Sequence, residues 1–273
     1  MESLDVKDRK ILYHLDLDSR QSFSSIGRKV DLSKNVVASR VKKLQEKGII
    51  KNFFTLIDTS KLGYAYIRIY LVYERVTPEV RAEIIDYFVK NEYSWVVCSL
   101  SGKYDFASVI WIKDINDFFY FWKHTLEKYR NYIREQLFSI FQHTFYRYSF
   151  LMADIYDTID RSWSRTIGGG GHVEIDDKDF QILTLLAPNA RIPTKDIAKQ
   201  LNISTITVKN RIKRLTELKV IQGYKVDLDF LKIGYYYFKA GINLFNYHKR
   251  KKLLCYLIEN PNLIMIDESA GFY

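Results

Sequence analysis

Two stretches decide the fold: "LSKNVVASRVKKLQEKGIIK", which starts at Leu32, and "ISTITVKNRIKRLTELKVIQ", which starts at Ile203. They lie 171 positions apart, and the alignment extends without a gap over residues 4–64 and 175–235. Identical residues recur along its whole length, so the chain contains a duplicated unit. We call residues 4–64 the first repeat and residues 175–235 the second repeat.

Each repeat has the residue pattern of three helices with a tight turn between the second and the third. Asp5 can cap the first helix, because its side chain can accept a hydrogen bond from the first turn. Asp31 and Asn202 tolerate the left-handed conformation that ends a helix sharply. Ser33 and Ser204 follow as caps of the third helix. This order predicts a helix-turn-helix in each repeat.

The third helix carries the candidate binding residues. Val37, Val41 and Leu44 recur at helical spacing and predict its buried side. The opposite side is basic and polar, which suits contacts with phosphates and base edges in a major groove. The predicted phosphate contacts are Arg40, Lys42, Lys43, Arg211, Lys213 and Arg214, and the residues predicted to lie nearer the bases are Asn35, Ser39, Thr207 and Asn210. Lys34, Val36 and Thr205 complete the predicted DNA-binding set.

Two further patterns concern how the repeats are built and joined. The segments "GIIKNFFTLID" and "KVIQGYKVDLD" alternate in polarity, and we expect a short two-stranded wing in each repeat. Gly168 to Gly171 predict a flexible hinge that lets the repeats take independent orientations. A phosphate-cradling loop is the alternative for these glycines, but no Lys-Ser/Thr follows them.

Residues 65–150 have the pattern of a different domain. Strand-like and helix-like segments alternate in the order βαββαβ, with Pro78 at the start of the first helix. This order predicts an antiparallel sheet with helices on one face, the ferredoxin-like arrangement, so the fold class is α+β. Phe118, Phe119, Phe121 and Trp122 exceed what one helix face needs, which favours partial burial in a partner subunit.

The combination of these features resembles the Lrp/AsnC family of transcription regulators. The resemblance depends on "LSKNVVASRVKKLQEKGII", on the following βαββαβ segment, and on the Gly-x-x-Asp turn of Gly102 and Asp105. It implies winged helix-turn-helix domains alternating with RAM-type domains that pair subunits and bind a small effector, often an amino acid. Gly102 and Asp105 are then effector-site candidates, and the alternative is that they only build a hairpin turn.

The resemblance also implies a domain order with an incomplete end. The second βαββαβ domain starts at "YYYFKAGINLF", and Gly271 takes the place of Gly102, but the counterpart of Asp105 is missing. We therefore expect a fragment or a truncated sequence. The alternatives are that a partner completes the second domain or that its second half is degenerate. The expected domains are 1–64 and 173–234 as winged helix-turn-helix, 65–150 as the first βαββαβ domain, 151–172 as a Gly-rich linker, and 235–273 as the incomplete second βαββαβ domain.

Composition limits the remaining classes of function. The formal net charge of +10 permits an anionic partner. No long apolar run or signal core is present, and Cys98 and Cys255 have no metal spacing, so we expect two reduced, buried cysteines in a cytoplasmic protein. The five histidines are scattered. We expect no metal, no cofactor, no membrane contact and no enzymatic activity.

The sequence therefore predicts a double-stranded DNA-binding regulator that forms a homodimer or a higher homo-oligomer. Since the outer faces of the two third helices differ, we expect two different half-sites. Two alternatives stay open. Paired AsnC-like units also build sirohaem decarboxylases, and a basic protein of this kind could instead be an architectural DNA binder with little sequence preference.

Overall fold

The computed structural model describes residues 4–146, 165–260 and 262–270. They form two compact units. The first unit joins the chain up to Asp58 with Val173–Ile266, and the second contains Thr59–Thr144. The two repeats therefore belong to one compact unit, although a whole domain separates them in the sequence.

Apart from the short strand Arg165–Ile167 and the predicted wings, the helices and strands follow the order that the sequence predicts up to the end of the second repeat. In chain order they are α1 (Val6–Leu17), α2 (Phe23–Val30), α3 (Lys34–Glu46), β1 (Ile50–Ile57), β2 (Ala65–Tyr73), α4 (Pro78–Lys90), β3 (Ser94–Ser99), β4 (Phe106–Ile112), α5 (Ile115–Tyr129), β5 (Ile133–Tyr146), β6 (Arg165–Ile167), α6 (Asp177–Leu186), α7 (Thr194–Leu201), α8 (Thr205–Glu217), β7 (Ile221–Leu228), α9 (Arg250–Glu259) and β8 (Met265–Ala270).

The helix ends confirm the predicted turn chemistry. Asp5 caps α1 by accepting a hydrogen bond from the N–H of Asp8. Asp31 ends α2 with a φ of 54°, and Asn202 ends α7 with a φ of 52°. Both residues are in the left-handed region, which short polar side chains tolerate better than most. Each repeat thus contains a tight helix-turn-helix.

The prediction of a two-stranded wing in each repeat is wrong. Each repeat contributes one strand, and β1 pairs antiparallel with β7. Phe54 lies opposite Lys225, and Gly223 lies inside β7 opposite Leu56. An alternating run has the same pattern whether its partner strand is near or far in sequence, so periodicity could not identify the partner. The expected independent orientation of the repeats is also wrong, because their strands form one sheet.

Four of the backbone hydrogen bonds between the repeats form two matched pairs. In each pair, the donor residue of one bond aligns with the donor residue of the other bond in the repeat alignment. The two acceptor residues align in the same way. This reciprocity gives the two repeats an approximate two-fold relation. The pairs are Ser19 N–H to Tyr224 O (3.0 Å) with Ala190 N–H to Phe53 O (2.8 Å), and Asp58 N–H to Val220 O (2.8 Å) with Asp229 N–H to Ile49 O (2.9 Å).

The repeats also share a hydrophobic core. The buried side chains of α1, α2 and α3, such as Leu15 and Val41, pack in one cluster with Val226 and Leu228 from β7. Removing this apolar surface from water favours the paired arrangement. The first repeat therefore completes its core with side chains of the second.

The second unit confirms the ferredoxin-like prediction. Four strands form an antiparallel sheet in the order β3-β4-β2-β5. Its core contains Ile84 and Phe88 from α4 and Phe106 from β4. Pro78 stands in the first turn of α4, as expected. The strand β8 pairs with β5 and extends this sheet.

The aromatic helix α5 uses most of its rings inside its own domain. Phe118, Phe121 and Trp122 are buried in the core of the second unit. Phe119 is 62% exposed and Tyr120 is 68% exposed. Of the four aromatic residues predicted to exceed the needs of one helix face, Phe119 is exposed, whereas the other three belong to the core of their own domain.

The chain after the second repeat differs from the start of a βαββαβ domain. Residues 235–246 form no helix or strand, where the first repeat is followed by β2. The helix α9 follows at Arg250–Glu259. Cys255 in α9 is exposed and Cys98 is half-buried, so the expectation of two buried thiols is wrong. Gly271 and residues 151–164 of the predicted linker lie outside the described residues. Within the described part, no helix has the length and apolarity that a bilayer span requires.

Candidate nucleic-acid interface

The third helix of the first repeat, α3, presents a polar face to solvent. Val37, Val41 and Leu44 are buried, as predicted. The exposed members of the predicted set on α3 are Lys34, Asn35, Val36, Ser39, Lys42 and Lys43. These residues leave one helix side available for an external partner.

The corresponding helix α8 presents a more varied face. Val208 and Leu215 are buried, and Ile212 is half-buried. The sequence-based set did not include two exposed residues on this helix, Ile206 and Lys209. Ile206 is 71% exposed, so the outer face of α8 includes a large apolar side chain. Of the predicted residues on α8, Asn210, Lys213 and Arg214 are exposed, and Thr205, Thr207 and Arg211 are half-buried.

Arg40 does not extend from the outer face of α3. Its Nη1 lies 2.7 Å from Asp5 Oδ2 and 2.7 Å from Asp8 Oδ1, so it joins α3 to the start of α1. These two hydrogen bonds raise the pKa of Arg40. One guanidinium between two carboxylates has no excess positive charge to offer a phosphate.

Arg211 repeats this arrangement in the second repeat. Its Nη1 lies 2.7 Å from Asp176 Oδ1 and 2.8 Å from Asp179 Oδ1. Arg214 adds a contact of 2.6 Å to Asp179 Oδ2, and the Asp179 side chain is fully buried. The hydrogen bond from Arg211, followed by the one from the Asp179 N–H, lowers the pKa of Asp176. The aspartates at this helix start therefore cap α6 and bind the arginines of α8.

The outer faces of the two helices differ where a base edge could be read. Asn35 corresponds to Ile206, and Ser39 corresponds to Asn210. An amide can pair with adenine in the major groove, whereas an aliphatic side chain can contact the thymine methyl group. The hydroxyl of Thr207 is 2.8 Å from Ser204 Oγ, so it supports the helix cap.

The effector candidates lie in a hairpin of the second unit. Gly102 has a φ of 135°, which favours glycine, and a Cβ there would meet nothing within 4 Å. Asp105 Oδ2 accepts a hydrogen bond of 2.8 Å from the N–H of Tyr73. The Asp105 carboxylate therefore holds the turn against β2. In the described ranges, no group of His, Cys, Asp and Glu side chains has the arrangement of a metal site.

These features define a class: a tandem winged helix-turn-helix protein with a ferredoxin-like domain. The AsnC-type helix-turn-helix domain model matches residues 175–216, and the winged helix-turn-helix DNA-binding model matches residues 4–51. The chain belongs to the Lrp/AsnC family of helix-turn-helix transcription regulators.

Relatives and one solved structure place the chain within this family and fold. It is 35% identical over 114 residues to the HTH-type transcriptional regulator LrpA of Pyrococcus horikoshii, across 42% of this chain and 79% of that protein. An uncharacterized HTH-type transcriptional regulator of Pyrococcus furiosus, PF1734, is 48% identical over 63 residues, which are 23% of this chain and only 43% of that protein. The siroheme decarboxylase NirDL shares the fold, with a TM-score of 0.54 and 14% identity, over 81% of this chain and 65% of that one.

Proposed function

We propose that this regulator binds one duplex site with two different recognition helices held at a fixed spacing. The observation that carries the proposal is the pairing of β1 with β7, which places α3 and α8 in one compact unit with an approximate two-fold relation. Two-fold related recognition helices suit the two halves of an inverted site in B-DNA. Because the helix faces differ, the two half-sites differ in sequence.

The contact roles follow from exposure and chemistry. Lys42, Lys43 and Lys213 supply phosphate contacts, since each ammonium lies on an exposed helix face. Lys42 and Lys213 each lie within 4 Å of a glutamate one turn later, at 3.6 Å and 3.8 Å, and such exposed pairs are weak enough to yield to a phosphate. Arg40 and Arg211 serve the scaffold in this proposal and not the DNA backbone.

Base recognition falls to the exposed side chains near the start of each helix. Asn35 and Ser39 read the first half-site, and Ile206 and Asn210 read the second. Lys34 and Val36 flank the first group, and Thr205 flanks the second. The amide–aliphatic difference between Asn35 and Ile206 predicts adenine preference on one side and a thymine methyl contact on the other.

The test is selection of binding sites from a random duplex library with the full chain. Wild type is compared with Asn35→Ala, Asn210→Ala and, as a control for charge alone, Lys42→Ala. We expect an enriched asymmetric motif that loses information in one half with each asparagine variant, and uniformly weaker binding with Lys42→Ala. Recovery of unselected DNA would replace the proposal with the architectural alternative, and no binding at low salt would end both.

The enzymatic alternative has the support of a shared fold only. A siroheme decarboxylase binds a tetrapyrrole, so titration of the chain with sirohaem provides a direct check. Free tetrapyrroles have an absorbance band at about 400 nm. We expect the chain to cause no saturable change in this band. A saturable shift that follows protein concentration would favour the enzyme.

We also propose that a small amino-acid effector acts on the ferredoxin-like domain near Gly102, and that this domain pairs subunits. An effector ammonium would bind Asp105 at Oδ1, because Oδ2 serves Tyr73. Thermal denaturation with a panel of amino acids, and with Asp105→Asn as the control, tests the site. Light scattering after size exclusion tests the homo-oligomer. An unshifted midpoint across the panel would contradict the effector, and a monomer mass would contradict the pairing.

A further inference from the structure

The centre of the interface between the repeats is asymmetric. Phe54 lies opposite Lys225 in the strand pairing, and these two residues are counterparts in the repeat alignment. The approximate two-fold axis therefore passes through this pair of positions. In a pairing of two identical repeats, this position would place a residue directly opposite itself.

Lys225 forms an ion pair in this buried place. Its Nζ is 3.2 Å from Asp16 Oδ1, and both side chains are 7% exposed. Asp16 lies in the last turn of α1, where a negative charge opposes the helix dipole. Removing either charge would take away the counter-charge that lies 3.2 Å from the other buried group, which is unfavourable. The cation of the other repeat therefore stabilises Asp16 in this position.

The other side of the axis carries no charge. The counterpart of Asp16 is Ala187, and the counterpart of Lys225 is Phe54. The arginine contacts are the same on both sides: Arg20 Nη1 donates to Ala190 O at 2.5 Å, and Arg191 Nη1 donates to Ser19 O. One neutral contact also differs, because Thr55 Oγ1 donates to Leu186 O at 2.7 Å and the counterpart of Thr55 is Val226. Contacts present in both repeats stabilise any pairing equally, so they do not select a partner.

We propose that the Asp16–Lys225 ion pair makes this interface selective for an unlike repeat. Pairing of two second repeats would set Lys225 opposite a second lysine, with Ala187 where the carboxylate should be. Pairing of two first repeats would bury two copies of Asp16 with Phe54 in the place of the lysine. The surface therefore fits the other repeat of this chain and disfavours a like repeat of a second chain.

A double-mutant cycle in the full chain tests the energetic basis. Asp16→Ala and Lys225→Phe each take away the counter-charge 3.2 Å from the charge that remains, and we expect the unfolding equilibrium constant to rise about 100-fold or more in each. The double variant D16A/K225F reproduces the uncharged Ala187–Phe54 side. We therefore expect its unfolding equilibrium constant to lie within about 10-fold of that of wild type. Additive losses in the double variant would overturn the proposal.

A disulfide reporter tests the selectivity itself. Phe54→Cys, with Cys98→Ser and Cys255→Ser, puts one thiol on the axis. A pair of like first repeats would bring two such thiols within about 4.5–5.5 Å between Cα atoms, which a disulfide can bridge.

The reporter chain is refolded at high concentration under oxidising conditions, with and without Asp16→Ala and Lys225→Phe. We expect at least about five times more interchain disulfide in the chain without the ion pair. A loss of about 1 kcal/mol in the free-energy difference between unlike and like pairing already gives that ratio. Equal cross-linking in the two backgrounds, whether high or absent, would overturn the selectivity.

Discussion

The two repeats have kept the same internal anchors and changed the surfaces around them. Arg40 and Arg211 make the same contacts to the start of the first helix of their repeats. Asn35 and Ile206, in contrast, present unlike groups at the same exposed position. Buried or anchored positions are constrained by packing and charge pairing, whereas an exposed helix face is free to fit a ligand. The comparison separates scaffold from recognition inside one chain.

The largest expected effect is a loss of stability when the arginines that bind aspartates at the helix starts are replaced. We call Arg40, Arg211 and Arg214 the anchors. The double variant R211A/R214A leaves the fully buried Asp179 without its two arginines, and we expect the free energy of unfolding to fall by about 3–5 kcal/mol. The two carboxylates that bind Arg40 are already partly exposed, Asp5 at 54% and Asp8 at 19%. Water can therefore solvate them in Arg40→Ala better than it can solvate Asp179. We expect a smaller loss there, about 1–2 kcal/mol.

Urea denaturation measures both losses, with Lys213→Ala on the exposed face as the control. We expect that control to lie within about 0.5 kcal/mol of wild type. A loss in Lys213→Ala as large as that in the anchor variants would mean that anchors and recognition faces are not distinct.

The second prediction concerns the fixed spacing of the repeats. Once the selected site is known, we expect insertion of about five base pairs between its halves to weaken binding at least about 10-fold, because the second helix then faces away from its groove. Insertion of about ten base pairs, a full turn, should not restore the affinity, since paired strands fix the distance as well as the face. Affinity measured by fluorescence anisotropy that returns with a full turn would indicate repeats joined flexibly.

The third prediction exchanges the recognition difference. Asn35→Ile should move the preference of the first half-site toward that of the second, with a discrimination change of about 1–3 kcal/mol at one base pair. Ile206→Asn should do the reverse in the other half. Ala38→Lys, which copies the exposed Lys209 of the second repeat, is the matched control and should change affinity without changing the motif. Unchanged motifs in both exchanges would assign base recognition to other residues.

The smallest expected effect is a pH dependence of stability that comes from His14, since the second repeat contains no histidine. Burial, followed by the charges of Lys29 and Lys10, lowers the pKa of His14 to about 4. The unfolded state therefore binds the proton more readily, and stability present above pH about 6.5 is lost as the pH falls toward 4. We expect a loss of about 1–2 kcal/mol for this half-buried group.

His14→Leu is the matched variant, because Leu185 occupies this position in the second repeat. Its free energy of unfolding should change less between pH 7 and pH 4 than that of wild type. Parallel pH profiles of the two proteins, measured by urea denaturation, would assign the acid sensitivity to other groups.

Much of the fold was predictable because its signals are local. Helix caps, the left-handed residues Asp31 and Asn202, and the stripe of Val37, Val41 and Leu44 all depend on neighbours within a few residues. The βαββαβ order was readable for the same reason. The sequence located the candidate site on an outer helix face, but it did not give the contacts that the arginines make. Ile206 was left out of the predicted binding set because that set held only polar and basic residues on this helix.

The sequence by itself determined the repeated helix-turn-helix, its caps and its basic faces, since each follows from short-range spacing. Only the tertiary structure decided that β1 pairs with β7, that Arg40 and Arg211 bind aspartates, and that Lys225 meets Asp16. The physical reason is the same in each case. A strand's unsatisfied backbone groups and a buried charge both need partners, and residue patterns along the chain do not say which distant segment provides them.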